Sequence, residues 1–73
     1  MTVEEINVQN QSQMSAVMYA AEYGHSAVVQ ALCEAGADPN LRDRNDTTAL
    51  GLAFTKGHLV SIAMVLTPFG AHY

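Results

Sequence analysis

Few side chains in this chain could carry covalent or metal chemistry: one cysteine, Cys33, and three histidines, His25, His58 and His72. A nucleophile needs a base within hydrogen-bond reach and a third group to orient that base. Cys33 and His25 are the only Cys–His pairing at short range, eight residues apart on or beside one helix. At roughly 1.5 Å of rise per residue that is about 12 Å along the helix axis, which excludes direct contact. Cys33 also shares an apolar stripe with Val28, Val29 and Leu32, the setting of an inert structural thiol. The histidines are far from one another in sequence, and no Cys/His cluster has zinc-ligand spacing. The residues therefore give no catalytic set, no metal site and no cofactor, and the chain is not expected to be an enzyme.

One cysteine cannot close an internal disulfide, and a single thiol favours a reducing compartment. Asn10-Gln11-Ser12 and Asn45-Asp46-Thr47 have the form of glycosylation sequons. The acidic N-terminus lacks a following apolar segment, so no signal peptide is expected and the sequons read as coincidence in turn-rich loops. The expected location is intracellular, in the cytoplasm.

These side chains must be positioned by a small scaffold. Seventy-three residues allow one domain. A chain of that size buries only about 60% of the surface its unfolded form exposes, so the core needs support from somewhere. A hydrophobic content of 49% is too high for a disordered chain. The longest apolar runs, Ala16–Ala21 and Ile62–Leu66, are far below the ~20 residues of a membrane span. Arg42, Arg44 and Lys56 face seven acids, for a net charge of −4. Three cations neutralise few phosphates, so neither nucleic acid nor an anionic membrane is an expected partner.

The organisation is a repeat. Gly24-His25 recurs 33 residues later as Gly57-His58, and Ser15-Ala16-Val17 recurs at the same shift as Thr48-Ala49-Leu50. Each unit reads as helix, tight turn, helix. Ser15 is placed to cap a helix over about 16–23, with Val17, Ala20 and Ala21 on one face. Gly24 breaks it, and a second helix covers about 26–35, closed by Gly36. The polar stretch 37–47 holds the turn formers Pro39, Asp43, Asn45 and Asp46. Thr48 then caps a helix to about Lys56, Gly57 breaks it, and a last helix runs over about Leu59–Leu66. Pro68 is expected to end that helix at or before Thr67. Thr2 and Glu5 have capping-box spacing at the other end.

The stretches Ala20-Ala21-Glu22-Tyr23-Gly24-His25-Ser26-Ala27-Val28-Val29 and Glu34-Ala35-Gly36-Ala37-Asp38-Pro39-Asn40 resemble the ankyrin-repeat pattern over nearly the whole chain. The resemblance implies an all-α fold, an ankyrin-repeat solenoid of two helix-turn-helix units joined by a hairpin-like loop. Residues 1–14 read as an N-terminal loop or partial repeat, 15–47 as the first repeat with its hairpin, and 48–73 as a second repeat, degenerate at its end. The departures from the pattern are informative. Its helix-opening Pro is Ala16 and Ala49 here, its His is Met18 and Gly51, and its hairpin-tip Gly is Gln13 and Asp46. Gly24 and Gly36 are 12 positions apart, whereas Gly57 and Gly70 are 13 apart, placing an extra residue near Thr67-Pro68-Phe69.

The resemblance further implies a protein partner, engaged through hairpin tips and the first helix of each unit. Its contact positions fall on Gln11, Met14, Glu22 and Tyr23, and on Arg42, Arg44, Asn45, Thr47 and Lys56. The second set holds all three cations, so an acidic segment docking near Arg42 and Arg44 is expected. The last helix has Ser61 as its sole polar residue, and a solenoid end lacking a polar face is uncapped. Leu59, Ile62, Val65 and Leu66 are therefore expected to meet further ankyrin repeats of a longer array, or a second copy.

Overall fold

The computed structural model of the chain describes residues 2–71; His72 lies outside them. Five α-helices follow one another: α1 (Val3–Ile6), α2 (Ala16–Glu22), α3 (Ser26–Glu34), α4 (Ala49–Thr55) and α5 (Leu59–Leu66), with a 3₁₀ turn over Thr67–Phe69. No strand occurs among the described residues. The expected helices form within a residue or so of their anticipated ends. Pro68 opens the 3₁₀ turn instead of continuing α5, as its missing N–H and fixed φ dictate.

The helices are short, so packing must hold them. α2 packs on α4 and α3 on α5, which stacks the pair α2–α3 against the pair α4–α5. Val17, Met18, Ala21, Val29, Ala49, Ala53, Ile62 and Leu66 form the centre of the core, each at most 1% exposed. Alanine dominates where α2 meets α4, which lets the two backbones approach closely. Larger side chains fill the α3–α5 layer, each fully buried one contributing about 1.5–3 kcal/mol.

The two N-caps differ. Ser15 and Thr48 both hold extended backbone before their helices (φ −101° and −86°). The Thr48 hydroxyl accepts the Gly51 N–H at 3.3 Å. The Ser15 hydroxyl is buried and has no partner among the described residues. Met18, three residues on, is fully buried at the position where the resembled pattern has His. The expected Ser15 cap thus has the backbone geometry of a cap without its hydrogen bond. Thr48→Ala should lower unfolding free energy by about 1 kcal/mol. Ser15→Ala should be neutral or stabilising, because it removes a buried hydroxyl that bonds nothing. Urea denaturation of the two variants checks the contrast.

Thr2 and Glu5 form a reciprocal capping box on α1: the Thr2 N–H donates to Glu5 Oε1 at 2.9 Å, and the Glu5 N–H to Thr2 Oγ1 at 3.2 Å. The Thr2 bonds hold the Glu5 carboxyl below its ordinary pKa, so this contribution is present above that pKa and fades as pH falls through the lowered value.

Two hairpin loops project beside the helices. One closes with Gln13 N–H to the Asn10 carbonyl at 2.8 Å, the other with Asp46 N–H to the Asp43 carbonyl at 2.9 Å. Gln13 and Asp46 both take left-handed backbone, φ 64° and 63°, at the positions where the resembled pattern has Gly. The loops are joined laterally. Asn7 bonds the Gly36 carbonyl and the Asp38 N–H, Asn40 bonds the Gly70 carbonyl, Gln9 bonds the Arg42 carbonyl, and the Arg44 N–H donates to the Ser12 carbonyl.

The last helix corrects one expectation. Ile62 and Leu66 are fully buried in this chain's own core, and Leu59 and Val65 are half-buried against it. These four do not form a free association face. The apolar side chains that α5 exposes are Val60 and Met64, each 74% exposed, with Phe54 of α4 nearby in the same shallow depression. In a helix apolar all round, spacing names two faces but not which one turns inward.

Candidate functional site

A groove of about 440 Å³ runs between the hairpins and the first helix of each pair, lined by Ser12, Met14, Tyr19, Glu22, Asp43, Arg44, Asn45 and Leu52. Its less polar lining comes from Met14 of the first hairpin, Tyr19 of α2 and Leu52 of α4. Met14 and Leu52 are half-buried against the core. Tyr19 is partly exposed, and its hydroxyl accepts the Asn10 Nδ2–H at 2.8 Å. That bond orients the ring over the hairpin base. Helical spacing explains the rest of the wall: Glu22 lies three residues beyond Tyr19, on the same face of α2.

The second hairpin supplies Asp43, Arg44 and Asn45. Asp43 Oδ1 accepts the N–H groups of Asn45 at 2.8 Å and Thr47 at 2.9 Å, an Asx-type turn that fixes the tip. Arg44 Nη2 donates to the Gln11 carbonyl, so its guanidinium is drawn across to the first hairpin.

The nine residues named from the sequence divide. Met14, Glu22, Arg44 and Asn45 line the groove. Gln11 contributes its carbonyl to Arg44, and Thr47 is half-buried within the tip turn. Tyr23 is 64% exposed and lies outside the lining, its ring 6.4 Å from that of His25. Arg42 and Lys56 also lie outside it. Arg42 pairs with Asp46 at 3.1 Å, and Lys56 Nζ is 3.8 Å from Glu22 Oε1. The cations of the second set of contact positions are therefore paired within the chain.

Ser12, Tyr19, Asp43 and Leu52 also line the groove and were not among those nine positions. A signal for two of them was available: Tyr19 and Leu52 are 33 residues apart and hold the same place in α2 and α4.

Elsewhere no reactive constellation assembles. Cys33 is buried, and burial pushes its thiol pKa up, away from the thiolate form that nucleophilic chemistry requires. Among the described residues no group of three His, Cys, Asp or Glu side chains converges as metal ligands would. None of the described helices is long and apolar enough to cross a membrane.

Helix pairs stacked side by side, with hairpins projecting next to a shallow groove, define a helical-repeat solenoid. The family model described as ankyrin repeats (3 copies) matches residues 2–73, and the chain belongs to that family. It is 35% identical over 68 residues to NF-kappa-B inhibitor alpha of Sus scrofa, covering 93% of this chain and 22% of that protein. It is 44% identical over 52 residues to a putative ankyrin repeat-containing protein of Treponema pallidum (strain Nichols), covering 71% of this chain and 17% of the relative. Among solved structures it is similar to a chain in the complex of the Bd0816 predatory endopeptidase from Bdellovibrio bacteriovorus with the immunity protein Bd3460. That match has a TM-score of 0.84 at 28% identity, over 92% of this chain and 34% of that one. The chain thus spans about a fifth of the length of the curated relatives it matches. Ankyrin repeats generally mediate protein–protein interaction and are typically non-catalytic.

Proposed function

We propose that this chain is a protein-binding module whose partner lies in the groove beneath the two hairpins. Met14, Glu22, Arg44 and Asn45 touch the partner at the centre, while Gln11, Tyr23, Arg42, Thr47 and Lys56 border it. The observation that carries this reading is the groove itself: a lining of charged, amide and hydroxyl groups interrupted by the side chains of Met14, Tyr19 and Leu52. That is the arrangement in which a few buried anchors dominate binding and a polar border excludes water. The chain works as part of a longer array, with residues 15–47 and 48–73 as two repeats and 1–14 as an N-terminal loop or partial repeat.

Amide NMR tests this. Peptides are selected from a random display library on the chain, and one is titrated into labelled protein. Shifts are expected to concentrate at Ser12, Met14, Tyr19, Asp43–Asn45 and Leu52. Shifts confined to α5 would defeat the groove reading.

A second reading rests on the exposure of Phe54, Val60 and Met64. In it the chain associates with a second copy through that end. Sedimentation at rising concentration separates the two, because a strictly monomeric chain contradicts self-association.

A further inference from the structure

Every cation in the chain already has a partner. Arg42 Nη1 lies 3.1 and 3.2 Å from the two carboxylate oxygens of Asp46. Lys56 faces Glu22, and Arg44 donates to the Gln11 carbonyl. Opposite them stand seven acids, for a net charge of −4. The groove lining follows the same balance, with two carboxylates, Glu22 and Asp43, against the single guanidinium of Arg44. Asp43 commits Oδ1 to two backbone N–H groups, and Oδ2 has no bond among the described residues. The same lining includes Met14, Tyr19 and Leu52.

Resting on the partner-binding reading above, we propose that the occupant is an extended protein segment with an apolar anchor side chain flanked by lysine or arginine. The anchor packs against Met14, Tyr19 and Leu52, one flanking cation meets Asp43, and the other competes with Lys56, 3.8 Å away, for Glu22. An acidic segment, the expectation from the contact positions that the resemblance implies, would face the unbonded Oδ2 of Asp43 and would have to displace Asp46 from Arg42. Charge complementarity of this kind governs encounter rate and partner choice more than raw affinity.

The test is a selection of short random peptides on the 73-residue chain, followed by fluorescence anisotropy with the tightest winner as probe. Winners are expected to pair a large apolar residue with adjacent Lys or Arg. Glu22→Gln combined with Asp43→Asn should weaken the probe about tenfold at low ionic strength, since two exposed charge contacts together supply about that much. Asn at position 43 keeps an Oδ1 acceptor for the tip turn, so unchanged far-UV circular dichroism separates lost charge from lost fold. The difference between wild type and the double variant should shrink as salt rises. Arg44→Gln should tighten the probe. Acidic winners, or basic winners indifferent to the double substitution, overturn the proposal. If winners bind but Tyr19→Ala leaves their affinity unchanged, the groove is not the binding surface, and the broader reading fails with it.

Discussion

Gly24→Ala is expected to lower unfolding free energy by about 3 kcal/mol, and Gly57→Ala by only about 1 kcal/mol. Each residue precedes a histidine in the same repeated dipeptide, and each has left-handed backbone, φ 75° and 82°. The backbone strain of an added Cβ is therefore alike at both, about 1–2 kcal/mol. What differs is the neighbour. A Cβ on Gly24 would lie 2.9 Å from the ring of His58, whereas one on Gly57 meets nothing within 4 Å. Forcing the ring aside adds about 1–3 kcal/mol of overpacking. Denaturant midpoints of the two variants, with His58→Ala added to Gly24→Ala as the closing arm of a double-mutant cycle, measure the difference. Equal losses would show that His58 does not pack on Gly24.

Truncating Ile62 to alanine should cost about 2–5 kcal/mol, the range for removing a fully buried aliphatic side chain and leaving a cavity. A chain of this length is stabilised by roughly 4–11 kcal/mol in all, so the variant would unfold at markedly lower denaturant. Val60→Ser and Met64→Ser, on the opposite side of α5, should change stability by less than about 0.5 kcal/mol. The set decides which face of α5 is internal. Comparable losses at all three positions would contradict the observed packing, in which Ile62 is 0% and Met64 74% exposed.

Much of the fold was legible because repeated landmarks fix register. The 33-residue shift located both helix pairs, and the glycines marked the breaks. The bounds of α5 were read without error. Its orientation was not, since Leu59–Leu66 has one polar residue and so no pattern to choose an inner face. The Ser15 and Thr48 caps look alike in sequence, yet only Thr48 bonds its helix. The groove was half legible. Positions inferred from the resemblance found part of its lining but not Tyr19 and Leu52. The partners of the cations depended on loop geometry: Asp46 reaches Arg42 across a turn, and Glu22 reaches Lys56 from another helix pair.

The lateral bonds between the hairpins bear on how the groove responds to load. Gln9 and the Arg44 amide reach from one hairpin to the other, while Asn7 and Asn40 tie the adjoining segments to Gly36, Asp38 and Gly70, so the spacing of the tips is set by a few separate ties as well as by the helices. Intact, the ties present a surface already shaped for its occupant, which reduces the ordering cost of binding. Each bond is exposed and worth about 1 kcal/mol, weak enough to open alone. A partner slightly too wide for the groove could then be accommodated by releasing one tie while the helix stack stays closed, so the compliance of the binding surface comes in discrete steps.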